Sequence, residues 1–190
     1  MHSQDFFNEV ETIAANINCN KIENIVDKLW DIRNNGGRVF VLGVGGSAAN
    51  ASHMVNDLRK LCHIEAYCPT DNVSEITART NDEGFDTIFT EYLKISRFTG
   101  RDGLFILSVG GGSVEKRVSM GLVNAMKMAQ QNHVLGIVGR DDGAAAQYHN
   151  VIVVPQVNAS RITPHSEAFQ AVIWHCIVSH PNLQMQSTKW

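Results

Sequence analysis

No stretch of this 190-residue sequence approaches the ~20 consecutive apolar residues that a membrane span requires. Its start, Met1-His2-Ser3-Gln4-Asp5, has neither the basic opening nor the apolar core of a secretory leader. Basic residues are not in excess: 16 lysines and arginines stand against 19 aspartates and glutamates, a formal net charge of -3. Such a balance offers no footing for nucleic acid or for an anionic membrane surface. Cysteine is scarce, with no two residues in a CxxC pair. Cys19, Cys62, Cys68 and Cys176 therefore read as reduced, buried thiols and not as a disulfide framework. Nor does any linker-like or low-complexity segment divide the chain. These absences leave one soluble, cytoplasmic domain over residues 1–190, long enough for a sizeable core.

What is present is organised around Val39-Phe40-Val41-Leu42-Gly43-Val44-Gly45-Gly46-Ser47-Ala48-Ala49-Asn50, an apolar run that breaks into glycines and a serine before a helical pattern resumes. It reads as strand, tight loop, helix. The first N–H groups of a helix lack partners inside it, and the helix dipole adds partial positive charge at that end. An anion such as phosphate can bind there with little side-chain help, and the Ser47 hydroxyl would add a donor.

A first amphipathic region precedes it. Phe6, Phe7, Val10, Ile13, Ala14, Ile17, Ile22, Ile25, Val26, Leu29 and Trp30 recur at spacings of three and four, giving one long or two short helices that end at Asn34-Gly36-Gly37. These helices serve either as an oligomer contact or as a cover for one face of a sheet. Strands follow over 38–42, 64–67, 104–107, 134–138 and 151–154, with helices over 48–61, 74–80, 86–98, 114–129, 141–148 and 166–179 between and after them. The alternation implies an α/β fold, a doubly wound five-stranded parallel sheet whose ligands gather at the carboxyl ends of the strands. Residues 181–190 read as a loosely held tail.

The strand at 104–107 runs into Ser108-Val109-Gly110-Gly111-Gly112-Ser113, a second glycine-serine loop. Two such loops, each after an apolar strand, favour a shared anion site over two unrelated tight turns. Gly43-Val44-Gly45-Gly46-Ser47-Ala48 also fits the dinucleotide fingerprint G-x-G-x-x-G/A, with Glu65 near the expected ribose-binding acid. That reading leaves the second loop unexplained, so a single phosphate site is preferred.

His53 and Asp57 stand four residues apart and share a helix face, and Glu167 and His175 stand about two turns apart on the final helix. A histidine within Val172-Ile173-Trp174-His175-Cys176-Ile177 is, on general grounds, more often a hydrogen-bonded core residue than a catalyst. Two histidines and two carboxylates also make a ligand set for a divalent metal such as zinc. The two pairs are over a hundred residues apart, so only the fold can bring them together. His63, His133, His149, His165 and His180 read as loop or surface residues.

Over nearly its whole length the sequence resembles the sugar-isomerase (SIS) domain proteins and, within them, the phosphoheptose isomerases. The resemblance is carried by the first loop, His53-Met54-Val55-Asn56-Asp57-Leu58, Thr70-Asp71, Asn81-Asp82-Glu83-Gly84-Phe85, the second loop, Gly139-Arg140-Asp141-Asp142-Gly143 and Ser160-Arg161-Ile162. It implies a homotetramer that uses the N-terminal helices, with active sites at subunit interfaces. The implied reaction converts sedoheptulose 7-phosphate to a D-glycero-D-manno-heptose 7-phosphate through an enediol. It needs a base over the carbon acid and an acid that serves the oxygens.

By position the resemblance assigns the base to Asp57 and the acid to His175, a metal to His53, Asp57, Glu167 and His175, and substrate contacts to Gly45, Gly46, Ser47, Asp71, Ser108, Gly110, Ser113 and Glu167. Two positions depart from the family, which has glutamate where Asp57 stands and glutamine where Glu167 stands. The shorter side chain draws the carboxylate back by about 1.5 Å, a displacement that can cost ~10²-fold in rate. The extra charge at Glu167 makes the set more anionic and favours a cation. Val44 replaces a family asparagine, Val109-Gly110 replaces a threonine-serine, and Thr163-Pro164-His165-Ser166 is an insertion in which Ser166 can cap the helix. The alternatives are a non-catalytic SIS module that binds a protein partner, of the replication-initiator-associating type, and an isomerase for another sugar phosphate.

Overall fold

The computed structural model describes residues 1–188; Lys189 and Trp190, the end of the expected tail, lie outside the described residues. Two helices open the chain, α1 (His2–Ala15) and α2 (Cys19–Asn34), separated at Asn16-Ile17-Asn18. Asn18 caps α2 by accepting the Lys21 N–H. Five strands form one parallel sheet: β1 (Val39–Leu42), β2 (Ala66–Tyr67), β3 (Gly103–Ser108), β4 (Val134–Val138) and β5 (Asn150–Val153), in the order β2-β1-β3-β4-β5. The other helices are α3 (Gly46–Cys62), α4 (Val73–Asp82), α5 (Ile88–Ile95), α6 (Met120–Met126) and α7 (Ile162–Val178).

The central strands are buried at every position because both faces of the sheet are covered. Successive side chains point to opposite faces. Val39, Val41, Phe105 and Leu107 pack with α1, α2, α3 and α7 in one core, whereas Phe40, Leu42, Leu104 and Ile106 pack with α5 and α6 in the other. Arg38 and Asp102 fasten the entrances of β1 and β3: the guanidinium donates to both carboxylate oxygens at 3.1 and 2.9 Å, and the Arg38 N–H adds a third bond. The Asp102 carboxyl is buried, which alone would raise its pKa. The bonds from Arg38 and Thr99 outweigh this and hold it below the usual carboxylate range.

Several expectations are corrected. The helix expected over 114–129 shrinks to α6, because a two-way backbone bond between Ser113 and Val118 closes a turn, with Arg117 and Ser119 both at φ 51. The helix expected over 141–148 is only a short 3-10 turn, Ala145–Gln147. Here the N–H groups of Ala144 and Ala145 donate to the carbonyls of Gly112 and Gly111 and bind the second loop instead of extending a helix.

The last helix starts a turn early, at Ile162, so the expected insertion is its first turn. Pro164 is tolerated there because first-turn N–H groups have no helical partner. Ser166 is inside the helix and bonds back to the Ile162 carbonyl, so it is no cap. The tail is not loose throughout: Leu183 is fully buried, its carbonyl accepts from Arg33, and the Met185 N–H donates to Leu61. All four cysteines are free, but only Cys62 and Cys68 are buried; Cys19 and Cys176 are exposed. His165, expected at the surface, is 3% exposed. It stacks on Phe6 and donates to Glu9, whose carboxylate also accepts from Asn158 and Arg161. No helix among the described residues is long and apolar enough to cross a membrane.

Candidate active site

The loop after β1 is tight because there is no room for anything larger than glycine. A Cβ on Gly43 would run into the Ser47 backbone, and Gly45 sits at φ 65, a conformation that L side chains rarely adopt. Helix α3 therefore leaves the sheet at once. His53 and Asp57, one turn apart, face α7, which runs alongside in the same direction.

Polar bonds pin the two helices together. The Gln170 amide donates to Ser47 Oγ at 3.0 Å and accepts from Asn50 at 2.8 Å, and Asn50 also donates to the Glu167 carbonyl. Further along, the buried Trp174 indole donates to Asp57 Oδ2 at 3.3 Å. Neither Gln170 nor Trp174 stands out in the sequence; the only signal is that both fall within two turns of Glu167 and His175 on the same helix.

His53 Nε2 lies 3.6 Å and His175 Nε2 3.5 Å from Asp57 Oδ2, and the imidazoles are 55% and 52% exposed against 10% for the carboxylate. Asp57 Oδ1 accepts from Asn56 at 3.1 Å. One carboxylate oxygen thus faces three ring nitrogens. His175 Nδ1 is 2.7 Å from the Ala171 carbonyl, an oxygen that can only accept, so this nitrogen carries the proton. Nε2 is thus the nitrogen turned toward the carboxylate, a place where a proton or a cation can lie between the two. Among the described residues the ligand atoms of His53, Asp57 and His175 all lie within 4.8 Å of one another and form a group that could hold a metal ion.

Glu167, expected as a fourth ligand, is not in that group. Eight residues at ~1.5 Å each separate it from His175 by about 12 Å along α7. It lies instead against the first loop, where a Cβ on Gly46 would be 2.5 Å and 2.6 Å from its two carboxylate oxygens. Ser47 is 2% exposed behind it. Asp71 is placed apart from the three, on the rim of a groove of about 790 Å³ that it shares with Ser52, Asn56, Arg59 and Tyr67. Asn56, which also holds Asp57, joins the groove to the site.

In the second loop Ser108 Oγ accepts from the Gly111 N–H and Ser113 Oγ accepts from the Lys116 N–H, which leaves both hydroxyl protons free to donate. A Cβ on Gly110 would meet open space. Glu65, the ribose-binding acid of the dinucleotide reading, accepts the Tyr67 hydroxyl at 2.7 Å. Burial pushes the Cys62 thiol up to about 12, so it is no nucleophile.

Residues 5–131 match the family model described as SIS domain. The chain belongs to the SIS domain family. This SIS domain protein is 32% identical over 148 residues to a phosphoheptose isomerase of Geotalea daltonii, covering 75% of the chain and 74% of that relative. It is also 32% identical over 162 residues to the lincomycin biosynthesis protein LmbN of Streptomyces lincolnensis, covering 80% of the chain but only 58% of that longer relative. In fold it is similar to the phosphoheptose isomerase GmhA of Neisseria gonorrhoeae, with a TM-score of 0.75 and 22% identity over 93% of each chain. The SIS fold accounts for the all-parallel sheet.

Proposed function

We propose that this SIS domain, a single unit over residues 1–190, is a sugar-phosphate aldose–ketose isomerase that interconverts sedoheptulose 7-phosphate and D-glycero-D-manno-heptose 7-phosphate. The observation that carries the reading is the convergence of His53, Asp57 and His175 on one carboxylate oxygen, beside two loops suited to an anion. A non-catalytic module has no use for such a set. The similarity to phosphoheptose isomerases supports the choice of a seven-carbon substrate.

In this reading the Asp57 carboxylate takes the proton from C1 of the ketose, giving an enediol, and the proton returns at C2. His175, half-exposed and with Nε2 facing the site, passes the matching proton between the two oxygens when that nitrogen holds no ion. Trp174 and Asn56 hold one Asp57 oxygen each, which fixes the aim of the shortened side chain. His53, Asp57 and His175 suit a divalent ion such as zinc, three protein ligands with one position left for substrate. When bound, the ion would polarise the sugar carbonyl and stabilise the developing oxyanion. Gly45, Gly46, Ser47, Ser108, Gly110 and Ser113 serve the phosphate end, and Asp71 and Glu167 accept from sugar hydroxyls. The exposure of both imidazoles supports a site completed by a neighbouring subunit in a homotetramer, and the polar phosphorylated substrate suits the cytoplasm.

Purified protein incubated with sedoheptulose 7-phosphate in deuterated solvent should form the aldoheptose phosphate with deuterium at C2, faster with added zinc than with a chelator. No turnover at any metal loading overturns the proposal.

A further inference from the structure

We propose that an open cavity between α6 and the turn Ala145–Gln147 is a second ligand site, one that takes an amphipathic carboxylate: a small organic acid with an aryl or branched alkyl body. The cavity has a volume of about 530 Å³, inside the span of roughly 300–1,000 Å³ usual for small-molecule sites. Its apolar walls are Val114, Val123, Met126, Ala144 and Tyr148. Val123 and Met126 are buried in the core that also holds Leu104 and Ile106 of β3, and Ala144 and Tyr148 pack against that same core. The floor is therefore fixed before any ligand arrives, which lowers the ordering cost of binding. Val114 stands 58% exposed at the rim, an apolar side chain that a bound body would take out of water.

The polar groups of the cavity select the charge. Lys127, the residue that closes α6, is exposed and forms no ion pair among the described residues. No aspartate or glutamate lines the cavity; the other polar side chains there are the amides of Gln131 and Gln147. One unpaired ammonium beside an apolar hollow attracts a single anionic group, and the amides can donate to its oxygens. A fully polar ligand would leave its hydroxyls unpaired against Val123 and Met126, a desolvation cost that an apolar body avoids. None of the residues assigned to the sugar phosphate lines this cavity. It does share a wall with the back of the second loop: a Cβ on Gly112 would be 2.7 Å from Val123 Cγ2, and the Ala144 N–H donates to the Gly112 carbonyl at 2.8 Å.

The probe is 4-phenylbutyrate, titrated into the full chain and followed by calorimetry and by the methyl resonance of Met126, which should shift on binding. 4-Phenylbutanol, the same body without the charge, should bind about 10-fold more weakly, the worth of one charge-assisted bond. Lys127→Met should weaken the acid by about the same factor and leave the alcohol unchanged. Ala129→Trp, placed to fill the hollow, should abolish binding of both with circular dichroism unchanged. Saturating sedoheptulose 7-phosphate should displace neither probe, so the outcome is independent of whether that sugar is turned over. An unmoved Met126 signal at ~10 mM acid, equal affinity for acid and alcohol, undiminished binding in Lys127→Met, or displacement by the sugar phosphate overturns the proposal. So does a dimer in which a second copy of the chain covers Met126.

Discussion

After β1 the chain passes Gly45 and enters α3 immediately, whereas after β3 it spends residues 109–119 in turns before α6 begins at Met120. The first loop is backed by a 17-residue helix that carries His53 and Asp57 to a fixed place beside α7. The second is backed by short segments tied to the Gly143-Ala144-Ala145 turn by two backbone bonds, and it collects charged side chains. A long helix gives precision, which proton transfer at carbon demands. A charged turn gives attraction, which a phosphate needs and which tolerates looser placement. On the proposed function the same local composition would serve two duties, depending on whether a long helix or a string of turns succeeds it along the chain.

The sharpest way to break this division is Asp57→Asn, which keeps the shape and removes the base. Turnover should fall by ~10³-fold, within the range for general acid–base groups, with circular dichroism unchanged. Variants of the second loop should raise KM instead; an equal fall in kcat there would erase the contrast.

Next in size is dialysis against a chelator. Activity should drop on the order of 10²-fold and return with a divalent ion, since charge stabilisation by a bound cation is worth several kcal/mol. His175→Ala should not be rescued by the same addition.

The first loop itself can be probed by two single methyl groups. Gly43→Ala drives a Cβ into the Ser47 backbone and should cost about 2–4 kcal/mol of stability. Gly46→Ala meets only the end of the Glu167 side chain, which can move, and should cost under about 1 kcal/mol while altering KM. Equal melting temperatures for the two would refute the tight-loop account.

The smallest effect concerns the start of α7. Bonds from Asn158, His165 and Arg161 lower the Glu9 carboxyl from the ordinary 4.5 to about 2. Because the folded value is depressed, this stabilisation is complete above about pH 4.5 and is lost as pH falls toward 2. Glu9→Gln should flatten the pH dependence of melting in that window and leave it unchanged above.

Much of this was readable from sequence where local signals were strong. The uninterrupted apolar runs of β1, β3 and β4 admit few other readings, and the four-residue step from His53 to Asp57 fixes their shared face wherever the helix lies. Three things were hidden because their causes are remote. His165 is buried by Glu9, 156 residues away. Glu167 and His175 share a helix and thus resemble one ligand set, yet their axial separation sends them to different places. The apolar pattern after the second loop reads as a helix, but Arg117 and Ser119 are held in the left-handed region by the Ser113–Val118 bridge, which no spacing rule detects.

Because Glu167 and His175 ride on the one rigid rod of α7, about 12 Å apart along its axis, the proposed function would make them a gauge block for the substrate. Sliding the helix moves both marks together and cannot change the gap between them. Under that proposal, selectivity for carbon-chain length would be insulated from small shifts of α7 against α3. It can drift only by substitution at residue 167 or 175, or by remodelling of the loops that hold the far end of the sugar.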